Sequence, residues 1–297
     1  MNQGRQPTLG FIGTGVVGTA LAEALSQAGY TVVAVFNRNH ALGDALASRL
    51  PNTQSVDSAQ AVADLAELTF LTVSDDAIAS VADSIRWTDT HSAVHCNGAA
   101  SIELLRSVQD QGAAVGAMHP LQSFASVEQA RKNIPGSAFA IDTSSEVLRS
   151  TLENMVHALG GVPLTLQGSK VLYHASAVIA SNYLVTLLHL ASGLWSHLGL
   201  SQAEGLKALL PLVRGTVENL EAVGLPNALT GPIARGDVGT IKRHLATLGD
   251  VAPEILPVYK ELAQQAIPIA LHKGTIDSAT ADQLHKTLDG QSAGVQP

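Results

Sequence analysis

The apolar positions of this chain follow two rhythms, and the change between them falls near Gly168. Up to that point, apolar runs of strand length alternate with stretches in which apolar residues recur every three or four positions. An apolar run from Leu9 ends at Gly13, and further strands are expected at 31–36, 68–73, 92–96, 113–118, 137–141 and 162–166. Helices are expected from just after Gly15 and at 41–50, 58–65, 77–85, 101–111 and 145–159, with a short charged helix between 121 and 133. Such alternation builds a mostly parallel sheet covered on both faces. Beyond Gly168 no strand pattern returns, and helices are expected at Lys170–Leu198, 201–223, 237–248 and 253–272. The expected fold is therefore α/β, with a doubly wound sheet domain over 1–167 and an all-α domain over 168–297.

The turn between the first strand and the first helix carries Gly13, Gly15 and Gly18 at the spacing of a dinucleotide-binding fingerprint. The first glycine makes the tight turn, the second lets the backbone approach a pyrophosphate, and the third lets helix pack on strand. The strand before it, the Ala/Leu-rich helix after it and the second strand at 31–36 supply the context of a Rossmann unit. Gly13, Thr14, Gly15, Val16, Val17 and Gly18 are thus expected to hold the cofactor at a helix N-terminus. After the second strand, Asn37 and Arg38 stand where an NAD-specific fold places an acid for the ribose hydroxyl. A guanidinium suits a 2′-phosphate, so NADP is expected. Ser74 and Asp75 end the strand at 68–73, where they would border the cofactor, and an acid there can also cap the next helix.

Composition narrows the picture. The chain has 297 residues, is 46% hydrophobic and only 14% charged, and carries a formal charge of −8, which argues against nonspecific nucleic-acid binding. One cysteine, Cys96, excludes an intramolecular disulfide framework and suits a reducing, cytoplasmic setting. The stretch 1–8 is polar, with no apolar signal core, and 290–294 reads as a frayed tail. The apolar stretch 171–198 contains His174, Ser176, Ser181, Asn182 and His189, so a helix buried on several faces is expected rather than a membrane span. Its length and apolar girth exceed what a small helical domain covers, which points to a homodimer through the C-terminal helices. Nothing in the sequence spacing suggests a metal site.

Candidate chemistry lies at strand ends and on the long helix. His95 and His119 fall at carboxyl ends of strands, the edge where such sheets bind ligands. Lys170 and His174 share one helical face, with Asn182 further on. His119, Lys170 and His174 are the expected catalytic groups, since reduction of a C=O or C=N bond calls for a proton donor near neutral pH. His95, Ser123, Asn182 and Arg235 are the expected substrate contacts; Arg235 follows the Gly231-Pro232 turn before a helix that Asp237 is placed to cap.

With its fingerprint, Ser74-Asp75-Asp76, His119-Pro120 through Phe124, Tyr173-His174 through Tyr183 and Thr230 through Asp237, the chain resembles a family of Rossmann-like NADP-dependent oxidoreductases with a helical C-terminal domain. More distantly it is similar to pyrroline-5-carboxylate reductase, prephenate dehydrogenase and the β-hydroxyacid dehydrogenases, with a second domain like that of 6-phosphogluconate dehydrogenase. His119-Pro120 resembles the His-Pro of prephenate dehydrogenases, where the histidine handles a hydroxyl proton. Lys170 lies near the catalytic lysine of β-hydroxyacid dehydrogenases, although His174 stands where those enzymes carry Asn. The resemblance implies an NADP-dependent oxidoreductase acting on a small carbonyl, imine or hydroxy compound in a cleft between the two domains. A non-catalytic NADPH-binding regulatory module is the alternative, and a deazaflavin is a third cofactor open to this fold.

Overall fold

A computed structural model describes residues 5–290; the first four residues and most of the tail expected at 290–294 lie outside them. The first part of the chain runs β1 (Leu9–Ile12), α1 (Val16–Gln27), β2 (Val32–Phe36), α2 (His40–Ala47), β3 (Gln54–Ser55), α3 (Ala59–Leu65), β4 (Leu68–Leu71), α4 (Ile78–Asp83) and β5 (Ser92–His95). It continues through α5 (Arg106–Asp110), β6 (Ala114–Pro120), α6 (Val127–Asn133), β7 (Ala138–Thr143), α7 (Glu146–Ala158), β8 (Val162–Thr165) and α8 (Lys170–Ala180). The strands form one sheet in the order β3-β2-β1-β4-β5-β6-β7-β8. Its inner strands are buried on both faces, as their unbroken apolar runs require. Phe11 and Phe70 stack across β1 and β4 with ring centroids 4.9 Å apart.

The sheet reverses direction once. β1 to β6 are mutually parallel, β7 is antiparallel to β6, and β8 follows β7 in parallel. Two differences from the sequence expectation follow from this. β6 continues beyond 118 through His119 and Pro120, because Ala140 and Phe139 of the antiparallel neighbour pair with them. In addition, the register sets His95, Ala117 and Asp142 in one row across three strands. β3, only two residues long, had no periodicity to read.

By packing, the chain divides into two compact units after Ser181. The boundary drawn at 167/168 rested on strand content; α8, the first helix beyond it, belongs with the sheet unit. The second unit holds α9 (Asn182–Gly193), α10 (Gln202–Val223), α11 (Gly231–Ala234), α12 (Val238–Val251), α13 (Leu256–Lys273) and α14 (Ser278–Leu288). The helix expected over Lys170–Leu198 is therefore broken at Ser181, and its last residues, Leu194–Leu198, form a 3₁₀ turn. α10 begins in a capping box between Ser201 and Glu204, and Asp237 caps α12 as expected. α14 was not anticipated, although Asp277 caps it and Ala281, Leu284 and Leu288 recur on its inner face.

Within the second unit, Ile233, Ile241, Ile267, Leu284 and Leu288 form the core of α11–α14. α9 and α10 pack on each other but bury little: Ser192 and Gly205 are their only fully buried residues. A Cβ at Gly205 would lie 2.6 Å from Cγ of Trp195, so glycine there admits the indole against the α10 backbone. The expectation of a helix buried on several faces over 171–198 is corrected here, since Leu172, Ile179, Tyr183 and Val185 are all more than half exposed. Lys170–Leu198 is long and apolar enough to cross a membrane by length and composition. An apolar groove of about 480 Å³ lies among α9, α12 and α13, lined by Leu187, Leu190, Leu194, Leu248, Val258 and Leu262.

Candidate functional site

The β1–α1 turn is built by its own glycines. Gly13 sits at φ +99°, and a Cβ there would lie 2.6 Å from the Thr72 carbonyl group. A Cβ at Gly18 would lie 2.2 Å from the Gly13 oxygen. The Thr72 hydroxyl donates to that same oxygen at 2.6 Å, which ties the turn to the end of β4. Gly15 differs from both: its backbone angles suit any residue, and a Cβ there would meet no atom within 4 Å. Protein packing thus explains two of the three glycines, and the third leaves open backbone for a ligand. The adjacent end of α1 has no side-chain cap, whereas serine or aspartate side chains cap α3, α6, α7, α8, α10, α12 and α14. Its first-turn N–H groups, including those of Val16 and Val17, meet no capping side chain, and uncapped groups of this kind suit an anion. The Asn37 amide donates to the Thr14 hydroxyl at 2.9 Å, which fixes the turn against the end of β2. Arg38 follows, exposed and without an ion pair among the described residues.

A second constellation stands at the ends of β5 and β6. His95 is wholly buried; its Nδ1 accepts from the Asn97 N–H at 3.2 Å, and its Nε2 lies 3.3 Å from the Ser101 carbonyl. Burial, with the Lys170 charge adding to it, pulls its pKa down to about 4. A neutral ring with both nitrogens committed to backbone supports the turn at 97–101. His95, expected to contact substrate, thus has both ring nitrogens turned to backbone in this structure. The Asn97 side chain accepts from the N–H groups of Ala99 and Ala100, both at 2.7 Å, and completes that turn.

Gly98 lies on this turn beneath two imidazoles. A Cβ on it would stand 2.7 Å from Nε2 of His119 and 2.9 Å from Nδ1 of His174. The two rings meet edge to face with centroids 6.2 Å apart. Nδ1 of His119 lies 2.9 Å from the Tyr173 hydroxyl, while Nδ1 of His174 is buried without a partner among the described residues. Burial first, then the neighbouring His174 and Lys170, bring His119 down to about 4, so it is neutral at pH 7. Lys170 donates to Asp142 at 3.1 Å and to the Ala100 carbonyl at 3.2 Å, clamping α8 to β7 and to the β5 turn. The structure thus gathers His119, Lys170 and His174, and adds Tyr173, Asp142 and Gly98, which sequence reasoning passed over. Cys96 adjoins the cluster, and burial pushes its thiol up to about 12.

The remaining candidates are more loosely placed. Ser74 and Asp75 lie in the turn after β4, with no side-chain cap there, so the expected acidic cap is absent; the Ser74 carbonyl accepts from the Ala77 N–H instead. Asp75 is exposed, yet close enough for its charge to act on His95 and His119. Ser123 is on the exposed loop after β6, with no hydrogen bond to the histidine cluster. Asn182 and Arg235 belong to the second unit, where both are exposed.

One pH dependence follows from the buried histidines. An unfolded chain protonates these rings near pH 6.5, the folded chain only near 4. Folding stability should be complete above about pH 6.5 and fall as the pH drops toward 4, by on the order of 3 kcal/mol for the fully buried His95. Urea unfolding across this range should show the slope, and His95→Gln should flatten it. A wild-type profile flat from pH 7 to 4.5 would contradict the assignment.

Comparison with known proteins places the two parts of the chain. No curated protein matches it. A protein from Thermotoga maritima shares the fold at a TM-score of 0.71 and 22% identity, over 90% of this chain and 100% of that one. A protein from Bacteroides fragilis, provisionally named an NADP oxidoreductase, follows at 0.69 and 22%, over 89% and 98%. The 1-pyrroline-5-carboxylate reductase of Streptococcus pyogenes has the fold at 0.63 and 16%, over 91% and 98%. Residues 2–120 match a Rossmann-like domain, and residues 137–266 match a domain of unknown function, DUF2520. The chain thus resembles a Rossmann-like domain over its first 120 residues and the DUF2520 domain over 137–266.

Proposed function

We propose that this protein is an NADP-dependent oxidoreductase that works on a small carbonyl, imine or hydroxy compound in a reducing compartment. The observation that carries the reading is the pair of unlike features in one unit: open backbone at Gly15 over an uncapped helix, and two imidazole nitrogens facing the same spot above Gly98. The names of the fold relatives from Bacteroides fragilis and Streptococcus pyogenes support it.

The turn at Gly13–Gly18 and the N–H groups of α1 would hold the pyrophosphate, and Arg38 the 2′-phosphate. NADPH, when bound, supplies a hydride to an electrophilic carbon. His119, neutral at pH 7, acts by donating a hydrogen bond to the substrate's oxygen or nitrogen rather than by giving up a proton. His174 faces the same atom through its unpartnered Nδ1 and is the group placed to exchange a proton with it. The charge of Lys170 is answered by Asp142, so its part is to fix α8. A purely regulatory module has no use for a buried, unpartnered ring nitrogen, which favours the enzyme.

We also propose a homodimer, with a second copy covering the apolar faces of α9 and α10. Light scattering at micromolar concentration should give about twice the 30.7 kDa of one chain, and a mass of one chain would overturn this.

Two variants test the cofactor reading. Gly15→Val should leave the melting temperature unchanged and abolish NADPH binding in calorimetry; normal binding by the folded variant removes the assignment. Arg38→Ala should reduce the preference for NADPH over NADH by about tenfold or more. Equal affinity of the wild type for both cofactors would sink the NADP choice.

A further inference from the structure

We infer that Tyr173 is a positioning residue of this site: its hydroxyl donates a hydrogen bond to Nδ1 of His119, holds the ring as the Nε2–H tautomer, and so presents a donor nitrogen above Gly98. Its catalytic meaning rests on the oxidoreductase reading, whereas its geometry does not.

The direction of the bond follows from what each group has available. The phenol lies 2.9 Å from Nδ1 of His119 and has no other partner among the described side chains and backbone groups. The phenol O–H is a far more acidic donor than an imidazole N–H, and a pyridine-type nitrogen accepts better than a phenol oxygen, so the proton lies between Tyr173 and Nδ1 on the tyrosine side. Burial raises the Tyr173 pKa, so the phenol keeps its proton and has it to give. The rings stand perpendicular, 5.7 Å between centroids, and this orientation fixes the imidazole as well as its protonation.

A neutral imidazole that accepts at Nδ1 must carry its hydrogen on Nε2. That nitrogen is the one over Gly98, beside the buried Nδ1 of His174. Tyr173 and His174 are consecutive on α8 and project about 100° apart, so one helix turn serves both ends of the His119 ring. The tyrosine holds the rear nitrogen, while the histidine flanks the front one. A carbonyl oxygen or imine nitrogen brought to this edge of the His119 ring would accept from Nε2. Lys170, one turn earlier on α8, locks the helix in this position through Asp142 and the Ala100 carbonyl.

The test reads the tautomer directly. Full-length protein labelled with [15N]histidine is examined at pH 7 by long-range proton–nitrogen correlation, with His119 identified by the signals lost in His119→Asn. The wild type should show Nε2 as the protonated, pyrrole-type nitrogen and Nδ1 as the unprotonated, pyridine-type one. Tyr173→Phe keeps the ring and removes only the donor; its His119 signals should move to the averaged positions of two exchanging tautomers. NADPH affinity should remain within a few-fold. A wild-type His119 protonated on Nδ1, or a Tyr173→Phe variant with unchanged signals, overturns the inference. The wild-type spectrum decides even where the variant folds poorly. Loss of the cofactor reading would show separately, as wild-type protein that keeps the Nε2–H signature yet takes up no NADPH.

Discussion

The candidate site depends on the reversal of strand direction between β6 and β7. The last residues of β6, His119 and Pro120, are held in the sheet by β7 rather than by β5. The antiparallel ladder also sets Asp142 in register with Ala117, and through it with His95. Residues in register across a sheet face the same side, and so do residues two apart on one strand. His95, His119 and Asp142 therefore share a face for reasons of backbone geometry alone. A single lysine from α8 can then reach the carboxylate and influence both imidazoles.

The second consequence is a division of labour among the polar groups. Burial makes a charged imidazole costly, and the site answers with neutral rings whose nitrogens are assigned one by one. His95 spends both on the turn beneath Gly98, and His119 spends one on Tyr173. The nitrogens left over, Nε2 of His119 and Nδ1 of His174, face each other's neighbourhood above a residue that has no side chain. The cation of the cluster is held by an acid and a carbonyl, and so ties α8 to β7 and to the β5 turn.

Much of this was legible in the sequence. The glycine spacing located the β1–α1 turn, apolar runs and recurrences every three or four residues located most strands and helices, and Asp237 marked a helix start. What escaped has physical reasons. Periodicity shows that a strand exists but carries no sign of its direction, so Asp142 gave no hint that it would face Lys170. His119 and His174 were visible as chemistry, but Tyr173 becomes meaningful only once β6 and α8 are brought together. The apolar stretch after Lys170 has the composition of a buried helix, and composition does not say whether the cover comes from the same chain.

Cys96 bears on how this site endures. Oxidants attack the thiolate form of cysteine, and a thiol held near 12 exposes almost none of it at neutral pH. The chain's one sulfhydryl therefore packs, partly buried, against the core that includes Val94 and Met118, and is a weak nucleophile at the start of the turn that carries Gly98.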